Sequence, residues 1–423
     1  MVLWPQANNS SLDEGTQPTG TTRIRDLFGV LWPNGDISMS RSFGRVAHRG
    51  AVSFGVVPSL ARPRLVLPLS SVRATSAAIR NYKASATGRR LLKVRIATFA
   101  ARAGLAHLFA DKVSVRPGNG GIDEFLEKVL GEPVNLSLYI GPERAVQKPI
   151  VQVLSSRGQT IAFSKVAVNE LTASLINNEI WSIDTVRNAD LPHLSAPRII
   201  NCEKWNDRPV VVQAAVRPGK SEQRLSTLLP DATRELTSVA GLIKAEWNLS
   251  EYRRTLCARI ANLEPSGLHD KLQSAIDEFD EVMIGRILTF GAWHGDWARW
   301  NMTTSASGDR IVAWDWEHFE RGVPAGFDAV HFDISDAVVV EKLSPVDAIA
   351  RLLRQSDNSL ARTCVIESDF VAVVCSYLLE IATRYLEQDE VSKADSPMSR
   401  LGEWFAKAVD GAIAALRGKI SDG

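Results

Sequence analysis

"FGAWHGDWARWNM", residues 290–302, gathers a histidine, an aspartate and an asparagine among three tryptophans and an arginine, where a long amphipathic segment ends. "RIVAWDWEHFERGVPAGFD", residues 310–328, follows closely, and its Asp315 closes an apolar run. Read together, the two stretches give H-G-D-x-x-x-x-N and then a second aspartate at the end of a strand. Asp296 and Asn301 share one loop and Asp315 follows the next strand, so two carboxylates and one amide can converge. All three offer oxygen, the ligand type that a hard divalent cation such as Mg²⁺ takes.

With 423 residues, 45% of them apolar, the chain is expected to form two or three domains with proper cores. No window of roughly 18 residues lacks charge. "MVLWPQANNSSLDEGTQ" has neither the basic start nor the apolar core of a signal peptide, so a cytoplasmic protein is expected. Cys202, Cys257, Cys364 and Cys375 lie far apart without a C-x-x-C pair, which speaks against a zinc knuckle and for reduced thiols. The net charge of +1 conceals an asymmetry, because residues 1–120 hold 17 Lys and Arg against 5 Asp and Glu, leaving 32 against 43 for the remainder. Such a basic part suits an acidic partner or a membrane surface, and the plainer reading is that it docks on its own acidic remainder. "RNYKASATGRRLLKVR" has only Tyr82 to interleave, which argues against nucleic acid.

Residues 1–22 read as a loose tail. "RPRLVLPL" reads as a strand, "SSVRATSAAIRNYKA" and "RRLLKVRIATFAARAGLAHLF" as helices, the second basic along one side. "VRPGNGG", residues 115–121, is the expected linker, which makes residues 1–120 a basic N-terminal extension. Beyond it, "VNLSLYIG", "KPIVQVL" and "TIAFSKVAV" predict an antiparallel meander, "NELTASLINNEIWSI" a helix capped by Asn169, and "RPVVVQAAV" another strand. These form a small sheet lobe over residues 121–216. Residues 217–423 are expected to be mainly helical, through "HDKLQSAIDEFDEVMIGRILTF", "ESDFVAVVCSYLLEIATRYLEQ" and "LGEWFAKAVDGAIAALRGKI". The predicted class is α+β with two lobes.

"HGDWARWN" together with "IVAWDWE" resembles the catalytic loop and metal segment of the protein-kinase-like phosphotransferases, specifically the aminoglycoside phosphotransferase and choline kinase branch. There the loop reads HGD and the metal aspartate stands in a D-x-E-like context. The resemblance implies a protein-kinase-like fold over roughly residues 130–420, with ATP and Mg²⁺ as cofactors and transfer of the γ-phosphoryl group to a small molecule. The expected acceptor bears a hydroxyl or amine, with a sugar or amino-sugar foremost. Such transfer leaves the protein mostly positioning and electrostatic work, so two carboxylates and an amide suffice. Asp296 would orient the acceptor and take its proton, Asn301 and Asp315 would hold the metal, and His294 would support the loop. Asp328, after "GVPAG", looks like the family's aspartate behind a Gly-x-Pro turn. In the small lobe Lys165 would meet the α- and β-phosphates, with Glu179 favoured over Glu170 as its partner, since five residues leave too little chain to turn back. Gly141 in "GPERAVQ" would cover the phosphates, although the loop has a single glycine, and Gln213 and Ala215 in "QAAV" would meet the adenine. The acceptor would bind near Glu317, Asp333 and Asp336, and Trp297 or Trp300 offers a face for a sugar.

Three rival readings start from other residues. "AAVRPGKS" ends in Gly219-Lys220-Ser221 like a P-loop, but alanine stands at position 214 where the first glycine belongs. A metal-dependent hydrolase would use His294, Asp296, His318, His331 and Asp333, imidazoles that suit a transition metal. A non-catalytic binding module with a kinase fold is the third.

Overall fold

The computed structural model describes residues 20–40, 50–83, 111–116, 118–141, 148–219, 222–354, 359–392 and 399–421. The basic helix expected over 89–109, most of "GPERAVQ" and all but the end of the expected tail lie outside them. The described residues fall into two compact units. One holds those up to Asn177 together with Arg198–Ala215; the other holds Asn178–Pro197 and those from Val216 onward.

The first unit is built on a nine-stranded antiparallel sheet. In chain order its strands are β1 (Asp36–Ser40), β2 (Val52–Ser59), β3 (Arg62–Pro68), β4 (Asp111–Arg116), β5 (Val134–Tyr139), β6 (Ile150–Ser155) and β7 (Thr160–Val166). After a helix over Glu170–Asn188 and a two-residue strand of the other unit, β8 (Leu194–Ser195), come β9 (Ile199–Trp205) and β10 (Arg208–Ala214). The spatial order is β1-β4-β2-β3-β5-β6-β7-β10-β9. The expected meander is β5-β6-β7, and Asn169 caps the following helix by accepting from the Thr172 amide at 2.8 Å.

The boundary expected at residue 120 does not divide the units. Leu65 of β3 pairs with Tyr139 of β5 and Val66 with Leu138, so the N-terminal strands and the expected nucleotide-binding strands are one sheet. The reason is a shared core. Helix Gly20–Leu31 buries Ile24, Phe28 and Leu31 at helical spacing, and these pack with Trp32, Phe54, Val113, Leu138, Val153 and Val212 from both sides of the supposed boundary. The Trp32 indole donates to Asp123 Oδ1 at 2.8 Å. Gly118, expected as linker, serves close approach instead, since a Cβ there would lie 2.1 Å from the Asn34 carbonyl oxygen.

The second unit is mainly helical around two short sheets. One has the order β11 (Ile243–Glu246), β12 (Ile287–Trp293), β15 (Glu320–Pro324); the other β13 (Met302–Thr304), β14 (Ile311–Ala313), β8. "HDKLQSAIDEFDEVMIGRILTF" divides into the helix Gly267–Val282 and β12, because Gly285 turns the chain with φ 70° and the apolar "ILTF" continues as a strand. Helices Phe370–Ser392 and Ser399–Ser421 pack against each other. The architecture is α+β, with a sheet unit and a helical unit. No described helix is long and apolar enough to cross a membrane.

Candidate active site

The HGD loop leaves the buried end of β12 and is fixed from both sides. His294 and Gly295 donate their amides to Asp328, at 2.7 Å to Oδ2 and 3.2 Å to Oδ1. Arg384 donates to the Gly295 carbonyl at 2.8 Å while its guanidinium lies over the Trp293 ring. Gly295 has φ 81° and a Cβ there would fall 2.5 Å from the His318 carbonyl oxygen, so only glycine fits. Burial pushes the Asp328 carboxyl up to about 7 against the pull of the two amides. His294 is a strut: its Nδ1 accepts from the Asp296 amide at 3.2 Å and its Nε2 donates to the Trp314 carbonyl at 3.1 Å. Burial holds this imidazole down to about 4, and hence neutral at pH 7.

Asp296 and Asn301 are tied directly. The Asn301 amide nitrogen donates to the Asp296 backbone oxygen at 3.0 Å and to Oδ2 at 2.7 Å. Two acceptors on one side fix which amide atom is nitrogen, so Asn301 Oδ1 must face the other way. That oxygen is buried and makes no hydrogen bond. The β13–β14 hairpin pairs Met302 with Ala313, and Trp314 donates its amide to the Asn301 carbonyl at 2.9 Å. Asn301 therefore stands across the hairpin from Trp314, one residue before Asp315.

Asp315 has φ 73°, a left-handed conformation sparsely used by non-glycine residues and concentrated at functional sites. It re-aims the chain so that Glu317 comes to the same place. Carboxylate oxygens of Glu179, Asp315 and Glu317 lie within 4.8 Å of one another. Glu179, at 0% exposure, comes from the helix Glu170–Asn188, which Asn178 ties to the Glu317 and Phe319 carbonyls at 2.9 and 3.0 Å. An all-oxygen donor set and a buried amide oxygen lacking a donor fit a hard cation. The D-x-E spacing is the sequence signal for Glu317, a residue also expected near the acceptor.

His331, a ligand in the hydrolase reading, has its Nε2 3.3 Å from Asp296 Oδ1. Desolvation raises the Asp296 carboxyl, but the adjacent His331 ring outweighs it and holds the group near 2. His331 Nδ1 lies 2.9 Å from the Tyr377 hydroxyl. No spacing rule in the sequence points to Tyr377 or Arg384, which come from a helix some eighty residues past the loop.

Of the residues expected around an acceptor, Asp336 is bound by Arg299 through two contacts of 2.9 Å. Asp333 accepts the Leu360 and Ala361 amides at 3.1 and 2.8 Å and so caps the helix Leu360–Cys364. Trp297 is fully buried and donates to Thr233 Oγ1 at 3.0 Å, which leaves no face for a sugar. Burial pushes the Asp333 carboxyl up to about 6. The unfolded value is near 3.9, so the native state keeps a proton that the unfolded chain releases. This contribution is full below about pH 4 and fades as pH rises through 6. Asp333→Asn should flatten the stability slope in that window, by up to about 1.4 kcal/mol per pH unit, in urea unfolding series run side by side. Parallel slopes for the two proteins would contradict it.

The hydrolase ligand set does not assemble. His294 spends both ring nitrogens on the backbone, Asp333 caps a helix, and among the described residues no group of potential metal ligands includes a histidine. The P-loop reading fails as well at Gly219, whose amide donates to Thr304 at 2.9 Å and whose Cβ would meet Thr304 Oγ1 at 1.9 Å; Lys220 and Ser221 lie outside the described residues. In the first unit Lys165 is buried on β7, opposite Ile150 and Val211. Gln213 is buried on β10, Ala215 donates its amide to Ile161 at 3.0 Å, and the Gly141 carbonyl accepts from Arg23 at 3.0 Å. Lys165 and Glu179 fall in different units.

No protein-family model matches the chain, and no curated protein matches it. Solved structures to which it is similar include a choline/ethanolamine kinase family protein from Mesorhizobium loti, at 14% identity over 67% of this chain and 92% of that one, with a TM-score of 0.43. Choline kinase LicA from Streptococcus pneumoniae is 11% identical over 70% of this chain and 99% of its own, with a TM-score of 0.41. A GDP complex of aminoglycoside 2'-phosphotransferase-IIIa is 14% identical over 68% and 93%, with a TM-score of 0.40. Identities and TM-scores this low leave the reading to the chain's own residues.

Proposed function

We propose that the chain is a small-molecule kinase of the protein-kinase-like kind, moving the γ-phosphoryl group of ATP to a hydroxyl- or amine-bearing metabolite. The observation that carries this is the Asp296–Asn301 clamp, which holds a carboxylate in place and turns a buried amide oxygen away from it, on the hairpin that leads through Trp314 to Asp315. Asn301 and Asp315, with Glu317 in reach, would hold Mg²⁺, which when bound neutralises charge on the phosphate oxygens. Asp296 orients the acceptor group and takes its proton at Oδ1 or Oδ2. His294, Asp328 and Arg384 keep the loop backbone still, so that the carboxylate is in position before substrate arrives. Lys165 would meet the phosphates, with Gln213 and Ala215 at the adenine. A sugar or amino-sugar is the acceptor class we propose, with the basic N-terminal residues serving an acidic partner or membrane surface.

ATP with Mg²⁺ should raise the melting temperature, since a ligand at a hundred times its Kd adds about 2.7 kcal/mol to the native state. Asp315→Ala should lose most of that gain in a thermal-shift titration. A mutant with the full wild-type shift would remove Asp315 from the metal site. A wild-type protein with the shift but no turnover against a panel of sugars and amino-sugars would favour the binding-module reading.

A further inference from the structure

We infer that His331 is a positioning residue for Asp296, holding the carboxylate through an Nε2–H that Tyr377 fixes from behind; the inference rests on the phosphotransfer reading. Asp328 and His331 stand three residues apart on the helix Phe327–Val339, a spacing that puts both on one face. Asp328 takes the loop amides of His294 and Gly295, and His331 reaches Asp296 Oδ1 at 3.3 Å. One helix face therefore controls both the backbone of the loop and the direction of its carboxylate. Asn301 holds Oδ2 at 2.7 Å, so the two oxygens are restrained by different elements and the carboxylate plane cannot rotate freely.

Between the two neutral tautomers the surroundings decide. His331 is 2% exposed and Tyr377 0%, and the Tyr377 hydroxyl lies 2.9 Å from Nδ1. Were Nδ1 to donate to the phenol, the Nε2 lone pair would face the Asp296 carboxylate, two electron-rich groups in contact. With the phenol donating to Nδ1, Nε2 carries the hydrogen and points it at the charge. Burial raises the phenol well above its ordinary range, so it keeps the proton it has to give. Nε2 makes no hydrogen bond of normal geometry, and a buried N–H is costly to leave unmade. The 3.3 Å contact is loose and has room to shorten when substrate fills the site.

The test uses the full chain with ATP and Mg²⁺, reading ATP turnover with water as acceptor, the nucleotide-induced melting shift, and the ¹⁵N shifts of the His331 ring. His331 should show the Nε2–H tautomer. His331→Leu should lower turnover by roughly 10- to 100-fold, the cost of a misplaced catalytic group, with the nucleotide shift unchanged. His331→Gln, whose amide can still donate to Oδ1, should recover most of that loss, and Tyr377→Phe should lose turnover while binding nucleotide normally. An Nδ1–H tautomer overturns the inference whatever the activity. So does wild-type turnover in His331→Leu, equal loss in His331→Leu and His331→Gln, or loss of turnover together with nucleotide binding. A wild-type chain that gives no melting shift with ATP and Mg²⁺ overturns the phosphotransfer reading itself and the inference with it, whereas failure of the His331 series alone leaves that reading standing.

Discussion

Asp296→Asn is expected to lower phosphoryl transfer by about 10²- to 10⁴-fold while the affinity for ATP stays within a few-fold. The substitution keeps size and shape and removes the charge that attracts the acceptor proton. Asn301 Nδ2 still finds an acceptor in the Asp296 backbone oxygen at 3.0 Å, so the loop should hold. A carboxyl held near 2 is a weak base, which fits phosphoryl transfer, where positioning and electrostatic stabilisation supply most of the catalysis. The defect should therefore show in kcat rather than in nucleotide binding. The measurement is ATP turnover with the acceptor that a sugar panel yields, beside a nucleotide titration. Undiminished turnover would make "HGDWARWN" a structural loop, and loss of ATP affinity in parallel would place Asp296 on the metal instead.

Glu380→Ala is expected to cost about 3–5 kcal/mol of stability, the usual consequence of removing one partner from a buried ion pair. Glu380 is 1% exposed and accepts from Arg259 at 2.9 and 2.8 Å and from the Tyr252 hydroxyl at 3.0 Å. Burial raises its carboxyl, but the Arg259 and Arg384 guanidiniums overcome that and hold it below its ordinary value. Without the carboxylate, Arg259 keeps Glu387 at 2.8 Å but loses its inner partner, and Tyr252 loses its acceptor. In a unit of this size the loss corresponds to a fall in melting temperature on the order of 10 °C. Glu380→Gln should fall between the two, since its amide keeps one acceptor oxygen. A change of only about 1 kcal/mol in urea unfolding would mean that water replaces the lost partners and that the network is peripheral. Arg384, 3.6 Å from Glu380, also holds the Gly295 carbonyl, so loosening here should reach the HGD loop.

The residues proposed to carry the chemistry lie close together in the chain, and for that reason the candidate site was legible. Asp296 and Asn301 belong to one loop and Asp315 to the hairpin that follows, so local spacing alone brings them near one another: Asn301 bonds Asp296 and pairs with Trp314, next to Asp315. The β5-β6-β7 meander and the Asn169 cap were legible on the same ground, since alternation and capping act over a few residues. The α+β class followed from adding such local signals.

What the sequence could not fix depends on which distant surfaces share a core. "VRPGNGG" has a linker's composition, yet Phe28, Trp32 and Phe54 pack with Leu138 and Val153, and burying that apolar area together outweighs any local break. The roles of single charges are decided in the same way. Asp333 and Asp336 read as acceptor contacts by composition, but two backbone amides claim one and Arg299 the other. His331, Tyr377 and Arg384 converge on the HGD loop from two helices far along the chain. A local pattern records what a residue can do; its partners are chosen by packing, because a buried charge or donor is stable only beside the group that completes it, and that neighbour is set by the fold as a whole.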